Sequence, residues 1–164
     1  MSGQKKMKMR NILQKSISVL SAVLIFLSCT KNIKSGKDYL YNNLSGEWTS
    51  REEFNEGKSQ LLYMLKLKQD GVFDWKITVY EGNNSFSHLY KGTFLVNQDN
   101  ISFQANEHQS WESFDTAQRK VEKISQTLFD SCTYKINGNF LKLDYITYPA
   151  DGPILTQAVY TRLR

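Results

Sequence analysis

Few side chains in this 164-residue chain have types and positions that could support chemistry, and His88 is the first of them. The segment Phe86–Val96 alternates, and His88 shares its apolar side with Tyr90 and Phe94. A histidine there can be a polar group inside a ligand cavity. It can also be a core histidine that is hydrogen-bonded to a tyrosine or the backbone, which is the commoner situation. The sequence leaves both interpretations open.

The remaining acidic and histidine residues do not form a recognisable catalytic or metal motif. Glu107-His108 offers two metal ligands, but no third ligand follows at zinc spacing, so we predict no metal and no cofactor. The acidic cluster of Glu52, Glu53 and Glu56 is interpreted as a solvated loop, because catalytic carboxylate pairs must face a cleft. Nucleophile-elbow, zinc-protease and phosphate-loop motifs are absent from the sequence. We therefore predict no catalytic residues and a non-enzymatic protein, with a hydrolase as the least favoured alternative.

The first 28 residues have the order of a secretory signal. Met1–Lys15 contains five Lys or Arg residues and no acidic residue, and the apolar run Ile17–Leu27 follows it. The run is shorter than the roughly 20 apolar residues that span a bilayer. A buried core helix is the less favoured alternative, because this run is apolar on every side. Residues 1–28 are predicted to be a signal peptide.

The end of the apolar run carries a more specific pattern. Phe26-Leu27-Ser28-Cys29 resembles the bacterial lipobox, in which the cysteine becomes the new amino terminus and carries lipid. That resemblance implies a lipid anchor on Cys29 that holds the protein at a membrane of the cell envelope. Thr30, where an Asp would favour inner-membrane retention, implies the outer membrane and its periplasmic side. Plain secretion is the alternative, although no small-x-small cleavage site precedes Ser28.

The net charge of the chain is a property of this leader. The whole chain carries a formal charge of +5, but residues 1–28 hold five of its 21 basic and none of its 16 acidic residues. The chain from Cys29 onward is therefore close to neutral. A nucleic-acid-binding domain requires a basic surface, so we predict no nucleic-acid partner.

The second cysteine, Cys132, lies in an alternating strand pattern. With Cys29 lipidated, Cys132 has no partner for an intramolecular disulfide. We expect it to be a buried thiol that packs as a small apolar residue, since the sequence around it offers no pattern that would lower its pKa.

The polar segment 29–43 is predicted to be a flexible tether. Residues 44–164 are predicted to form a single domain. Tight-turn dipeptides such as Asp70-Gly71 and Asn137-Gly138 separate short alternating segments. Asn106–Ser125 is the exception: a short strand, a loop and a lid all stay open for it, and its second half, Thr116–Ser125, is predicted to be a short helix. The predicted strands are Leu44–Ser50, Leu61–Lys68, Val72–Tyr80, Phe86–Val96, Ile101–Ala105, Thr127–Ile136, Phe140–Thr147 and Ile154–Leu163.

Sequential strands with tight turns and little helix predict an all-β, antiparallel meander. Closing the meander into an up-and-down barrel of about eight strands removes its exposed edges. Such a barrel is just wide enough to be filled by side chains or to hold one small ligand. A two-sheet sandwich is the alternative fold, but its crossing connections would be longer than most of those in this sequence.

Two short motifs mark the ends of this domain. Gly46 and Trp48 form a Gly-x-Trp near its start, and Arg162 lies in its last strand. With the strand count, these residues resemble a bacterial lipocalin-like lipoprotein. The resemblance implies that Trp48 closes one end of the barrel and that Arg162 lies over it, an arrangement favoured by cation–π attraction.

The aromatic residues on the inward side determine the functional prediction. We predict a barrel that binds a small apolar or amphipathic ligand at the end opposite Trp48, with Trp75, His88, Tyr90 and Tyr145 in the pocket. In the alternative, the same aromatics fill the barrel completely. The protein would then be a structural or interaction module, whose partner-binding surface is the segment around Trp111 and Phe114.

Overall fold

The computed structural model describes residues 36–113, 115–150 and 152–163. The predicted signal peptide and the proposed lipid attachment at Cys29 lie outside the described residues. Within them, no helix is both long and apolar enough to cross a membrane.

The described residues contain one α-helix, a 3-10 turn at Asn55–Gly57 and nine strands. The α-helix and strands are α1 (Gly36–Leu44), β1 (Gly46–Phe54), β2 (Ser59–Leu67), β3 (Val72–Glu81), β4 (Asn84–Asn97), β5 (Asn100–Glu112), β6 (Asp115–Thr127), β7 (Asp130–Asn137), β8 (Phe140–Thr147) and β9 (Ile154–Arg162). Eight strands close an antiparallel barrel in the order β1-β2-β3-β4-β5-β7-β8-β9, and β9 returns to β1. The ninth, β6, pairs with β5. The all-β barrel predicted from the sequence is confirmed.

The turns between strands form where the sequence provides residues that tolerate a left-handed backbone. Gly71, with φ of 81°, separates β2 from β3, and Gly138, with φ of 57°, separates β7 from β8. A glycine pays no Cβ penalty in this region, which is why these dipeptides predicted the two hairpins.

Of the alternatives for Asn106–Ser125, the short helix is wrong and the strand is confirmed. This segment forms the long hairpin of β5 and β6, and no helix forms over Thr116–Ser125. The helix-forming residues there are overridden because the backbone groups of β6 pair with those of β5, from Glu112 opposite Asp115 to Gln104 opposite Thr127. Intrinsic helix propensity is a weak preference that such pairing readily exceeds.

The end of the segment predicted as a tether also has regular structure. Helix α1 covers Gly36–Leu44, and the side chains of Tyr41 and Leu44 are buried in the core. The ring of Tyr41 stacks on Phe94 with 5.2 Å between centroids. Backbone contacts accordingly group Lys37–Arg164 into one compact unit, so the domain begins before the expected boundary at residue 44.

This helix and the last strand close one end of the barrel. The guanidinium of Arg162 lies 4.2 Å from the ring centroid of the fully buried Trp48. It also donates hydrogen bonds to the carbonyl oxygens of Ser45 (3.1 Å) and Asn43 (2.5 Å). Gly46 leaves room for it, since a Cβ there would stand 3.3 Å from a guanidinium nitrogen. We call this end of the barrel the closed end.

Candidate functional site

On most strands, inward-facing side chains become progressively more exposed with distance from the closed end; β7 is the exception, because Cys132 is more buried than Tyr134 and Ile136. On β3, Phe73 is fully buried, Trp75, Ile77 and Val79 are half-buried, and Glu81 is exposed. On β8, Leu141 and Leu143 are buried and Tyr145 is half-buried, and β1, β2 and β4 show the same trend. The interior is therefore packed near Trp48 and open to solvent in its other half. We call this open half of the interior the cup.

The four residues predicted to bind a ligand all face the cup. Trp75 and Tyr90 are directly opposite each other on β3 and β4, with 5.6 Å between ring centroids. His88 stacks beside Tyr90 at 6.4 Å. Tyr145 reaches the same group through Phe129, whose ring lies 4.8 Å from Trp75 and 4.7 Å from Tyr145. Phe129 was missed because the predicted strand Thr127–Ile136 placed Leu128 on the inner face, whereas in the structure both residues lie between β6 and β7.

The floor of the cup carries polar groups that remain neutral. Burial raises the pKa values of Tyr63 and Tyr145, and the charge of Glu52 raises them further. The buried indole N–H of Trp75 points to the Tyr160 hydroxyl and lowers the pKa of that tyrosine, although burial raises this pKa by more.

A row of three ionisable side chains crosses the cup wall from β4 to β6. His88 Nδ1 lies 2.8 Å from His108 Nε2, and the two imidazole rings are stacked at 5.1 Å. The opposite nitrogen of His108, Nδ1, lies 3.8 Å from a carboxylate oxygen of Glu122. The other Glu122 oxygen accepts a hydrogen bond of 2.5 Å from Lys120. We call His88, His108 and Glu122 the relay.

A β-bulge brings His108 onto the inner face. Gly92 pairs with Ala105, whereas Lys91 pairs with Glu107, so Asn106 is an extra residue in β5. The extra residue reverses the alternation, because one inserted residue exchanges the two faces of a strand. Without the extra residue, the alternation that runs from Ile101 through Ala105 would continue to Glu107 and place His108 on the outer face. For this reason the sequence contains no signal that His108 belongs to the site.

Gly92 is required at this bulge, because the backbone of β5 approaches β4 very closely there. A Cβ at Gly92 would lie 1.9 Å from the carbonyl oxygen of Gln104 and 2.8 Å from the Cα of Ala105. A glycine inside a strand is typical of such a close backbone approach.

The relay places a neutral His88 at one end and an ionised carboxylate at the other. Burial lowers the pKa of His88, and the neighbouring His108 lowers it further, so His88 is neutral near pH 7. The hydrogen bond from Lys120 and the charge of that ammonium lower the pKa of Glu122, which therefore stays ionised.

The geometry of the relay is unsuitable for a metal ion. Glu122 and His88 approach opposite nitrogens of the His108 ring, so one ion cannot contact all three side chains. Within the described ranges, no group of three or more His, Cys, Asp or Glu side chains could hold a metal. What the arrangement can do is let the charge of Glu122 determine which ring nitrogens of His108 and His88 carry a proton.

The other reactive side chain, Cys132, is buried in β7. Burial raises the pKa of its thiol to about 12, and the charge of Asp144 acts in the same direction. A thiol with such a pKa is almost entirely protonated at physiological pH and is a poor nucleophile.

Trp111, expected at a partner-binding surface, lies on the outer face of the barrel in contact with two cations. Arg119 lies 4.3 Å from its ring centroid and Lys76 lies 5.2 Å away. Thr78 and Ser87 are buried nearby on the same outer face and bond to each other at 3.1 Å. Phe114 is outside the described residues, and a partner-binding role for this segment stays a prediction.

The acidic cluster at the end of β1 is exposed, although only part of it lies in a loop. Glu52 and Glu53 belong to β1, and Glu56 lies in the 3-10 turn that follows. By register, Glu52 is on the same face as Trp48 and reaches the mouth of the cup.

In comparisons with known proteins, no family model matches this chain and no curated protein matches it significantly.

Proposed function

We propose that this protein is a non-enzymatic binder of a small apolar or amphipathic molecule, which it holds in the cup. The observation that supports this proposal is the greater exposure of inward-facing side chains on β3 and β8 in the half of the barrel away from Trp48. Aromatic walls with a few polar tips are the usual lining of small-molecule sites. Trp75, Tyr90 and Tyr145 supply the apolar wall, and His88 supplies a polar group toward the mouth.

We also propose that a lipid on Cys29 anchors the protein in the cell envelope, at the outer membrane and facing the periplasm. The support is the sequence pattern Phe26-Leu27-Ser28-Cys29 behind a basic leader and an apolar run. The substitution Cys29→Ser should release the protein from the membrane fraction. Membrane association that persists in this variant would rule out the lipid as the anchor.

Ligand binding can be tested with a neutral fluorescent probe, N-phenyl-1-naphthylamine, and a variant that fills the cup. Ser50 faces the cup on β1 opposite Tyr63, whereas its neighbour Arg51 faces outward and is exposed. Ser50→Trp should abolish probe binding by occupying the interior. Arg51→Trp adds the same side chain to the outer face and should leave binding unchanged.

A second pair of variants identifies where the probe binds. Energy transfer from tryptophan to the probe should fall in Trp75→Phe, because Trp75 lies in the cup wall. It should stay nearly constant in Trp111→Phe, which changes the outer face. Failure of the probe to bind, or equal effects of the inner and outer substitutions, would contradict the proposal.

A further inference from the structure

We propose that the cup selects ligands whose head group donates a hydrogen bond and carries no negative charge, such as an alcohol or an amine. The relay of His88, His108 and Glu122 carries this inference, because it holds His88 as a hydrogen-bond acceptor. The inference rests on the proposed function and specifies the class of ligand.

The polarity of the relay follows from its ionised end. The Glu122 oxygen that lies 3.8 Å from His108 Nδ1 favours a proton on that nitrogen. A neutral imidazole with a proton on Nδ1 carries a lone pair on Nε2. With His108 neutral, its Nε2 accepts, and His88 Nδ1 donates, in the 2.8 Å contact that joins the rings.

The free nitrogen of His88 is consequently an acceptor. His88 is neutral near pH 7, and its proton is on Nδ1, so its Nε2 presents a lone pair. That nitrogen has no hydrogen-bond partner among the described residues. A ligand hydroxyl or amine can donate to it, whereas a carboxylate has no proton to donate.

The charges around the mouth of the cup agree with this polarity. A cavity of about 440 Å³ lies at the β3–β4 hairpin and is lined by Val79, Phe86, Glu81 and Glu112, among others. Phe86 packs edge-on against His88, with 4.6 Å between ring centroids. The two carboxylates in the cavity wall would repel an anionic head group and would attract an ammonium.

The other groups facing His88 do not reverse this preference. Tyr90 and Ile77 are its inner-face neighbours on β4 and β3, and His108 faces it from β5. Of the relay's neighbours on β6, the cation of Lys120 is already bonded to Glu122. Glu52 adds a further negative charge at the mouth from β1.

The first test reads the polarity without any ligand. In the full chain labelled with ¹⁵N-histidine, long-range ¹H–¹⁵N spectra at pH 7.5 should show the His88 proton on Nδ1 and a lone pair on Nε2. The variant Glu122→Gln removes the charge that fixes this tautomer, and the population of the opposite tautomer should increase. A His88 that carries its proton on Nε2 in the wild type would overturn the inference, whatever the cup binds.

The second test compares ligands that share one chain and differ in head group: decan-1-ol, decylamine and decanoate. At pH 7.5, calorimetry should give the alcohol and the amine affinities about tenfold or more above that of decanoate. In Glu122→Gln this preference should shrink or reverse, while circular dichroism shows that the variant is folded. A relay that only supported the fold would lower all three affinities alike.

The outcomes separate the inference from the proposed function. Equal binding of all three compounds, or tighter binding of decanoate, would refute the head-group selection and leave the cup as a binding site. No binding of any of them, together with no binding of the naphthylamine probe, would refute the proposed function and the inference with it. Loss of alcohol binding at pH 5 in the wild type, but not in His88→Phe, would support the acceptor role directly.

Discussion

Replacing Gly92 with alanine should destabilise the barrel strongly, because β5 passes over this residue at a distance that no side chain tolerates. The added Cβ would lie 1.9 Å from Gln104 O and 2.8 Å from Ala105 Cα, and both are backbone atoms that cannot rotate away. Relieving the clash requires β4 and β5 to separate by about 1 Å, which lengthens their hydrogen bonds beyond effective range.

The expected cost combines two terms. Overpacking costs about 1–3 kcal/mol, and each weakened ladder bond adds about 1 kcal/mol. A total of about 3 kcal/mol lowers the melting temperature of a domain of this size by roughly 10 °C. It lowers the urea midpoint by about 1.5 M if the m-value is near 2 kcal/mol/M. Urea denaturation followed by tryptophan fluorescence measures this midpoint.

Gly138→Ala is the matched control. Gly138 has φ of 57°, but a Cβ there would meet no atom within 4 Å. Its substitution should cost only the left-handed backbone penalty, about 1 kcal/mol. If Gly92→Ala proved no more destabilising than Gly138→Ala, the close approach of β5 and the bulge that directs His108 inward would both be refuted.

Three further predictions concern the closed end, the relay and the buried thiol. Arg162→Lys keeps the charge but loses the planar contact with Trp48 and a hydrogen bond to a carbonyl oxygen. The free energy of unfolding, measured by urea titration, should therefore fall by about 1–2 kcal/mol. An unchanged value would contradict this closure of the barrel. The unfolded chain protonates His88 near pH 6.5 and the folded protein only at lower pH, so stability should fall as pH drops from 7 to 5. His88→Gln should reduce that fall, and identical pH profiles would refute the assignment. The pKa of the Cys132 thiol is about 12, so little of it is the reactive thiolate at pH 8. In a Cys29→Ser variant, where Cys132 is the remaining cysteine, the folded protein should react with Ellman's reagent at least a hundredfold more slowly than the denatured protein. Equal rates would show that the thiol is accessible.

Local patterns in the sequence were enough to predict most of the barrel. Alternation placed Phe73, Trp75 and Tyr90 on one face, and the Asp70-Gly71 turn located the hairpin between β2 and β3. These features depend on a two-residue period and on the backbone freedom of glycine, which are properties of neighbouring residues. The register then brought the predicted cup residues together because cross-strand partners share a face.

The relay and the open half of the barrel were decided only by the tertiary structure. His108 faces His88 because one extra residue in β5 reverses the alternation, and that bulge depends on the approach of Gln104 to Gly92. Glu122 joins them because β6 pairs with β5, which overrides the helix-forming composition of Thr116–Ser125. Phe73 is buried and Trp75 is half-exposed although both face inward. The difference depends on how far each residue lies from the closed end of the barrel. Such facts arise from pairings between residues distant in sequence, and no local pattern along the chain contains them.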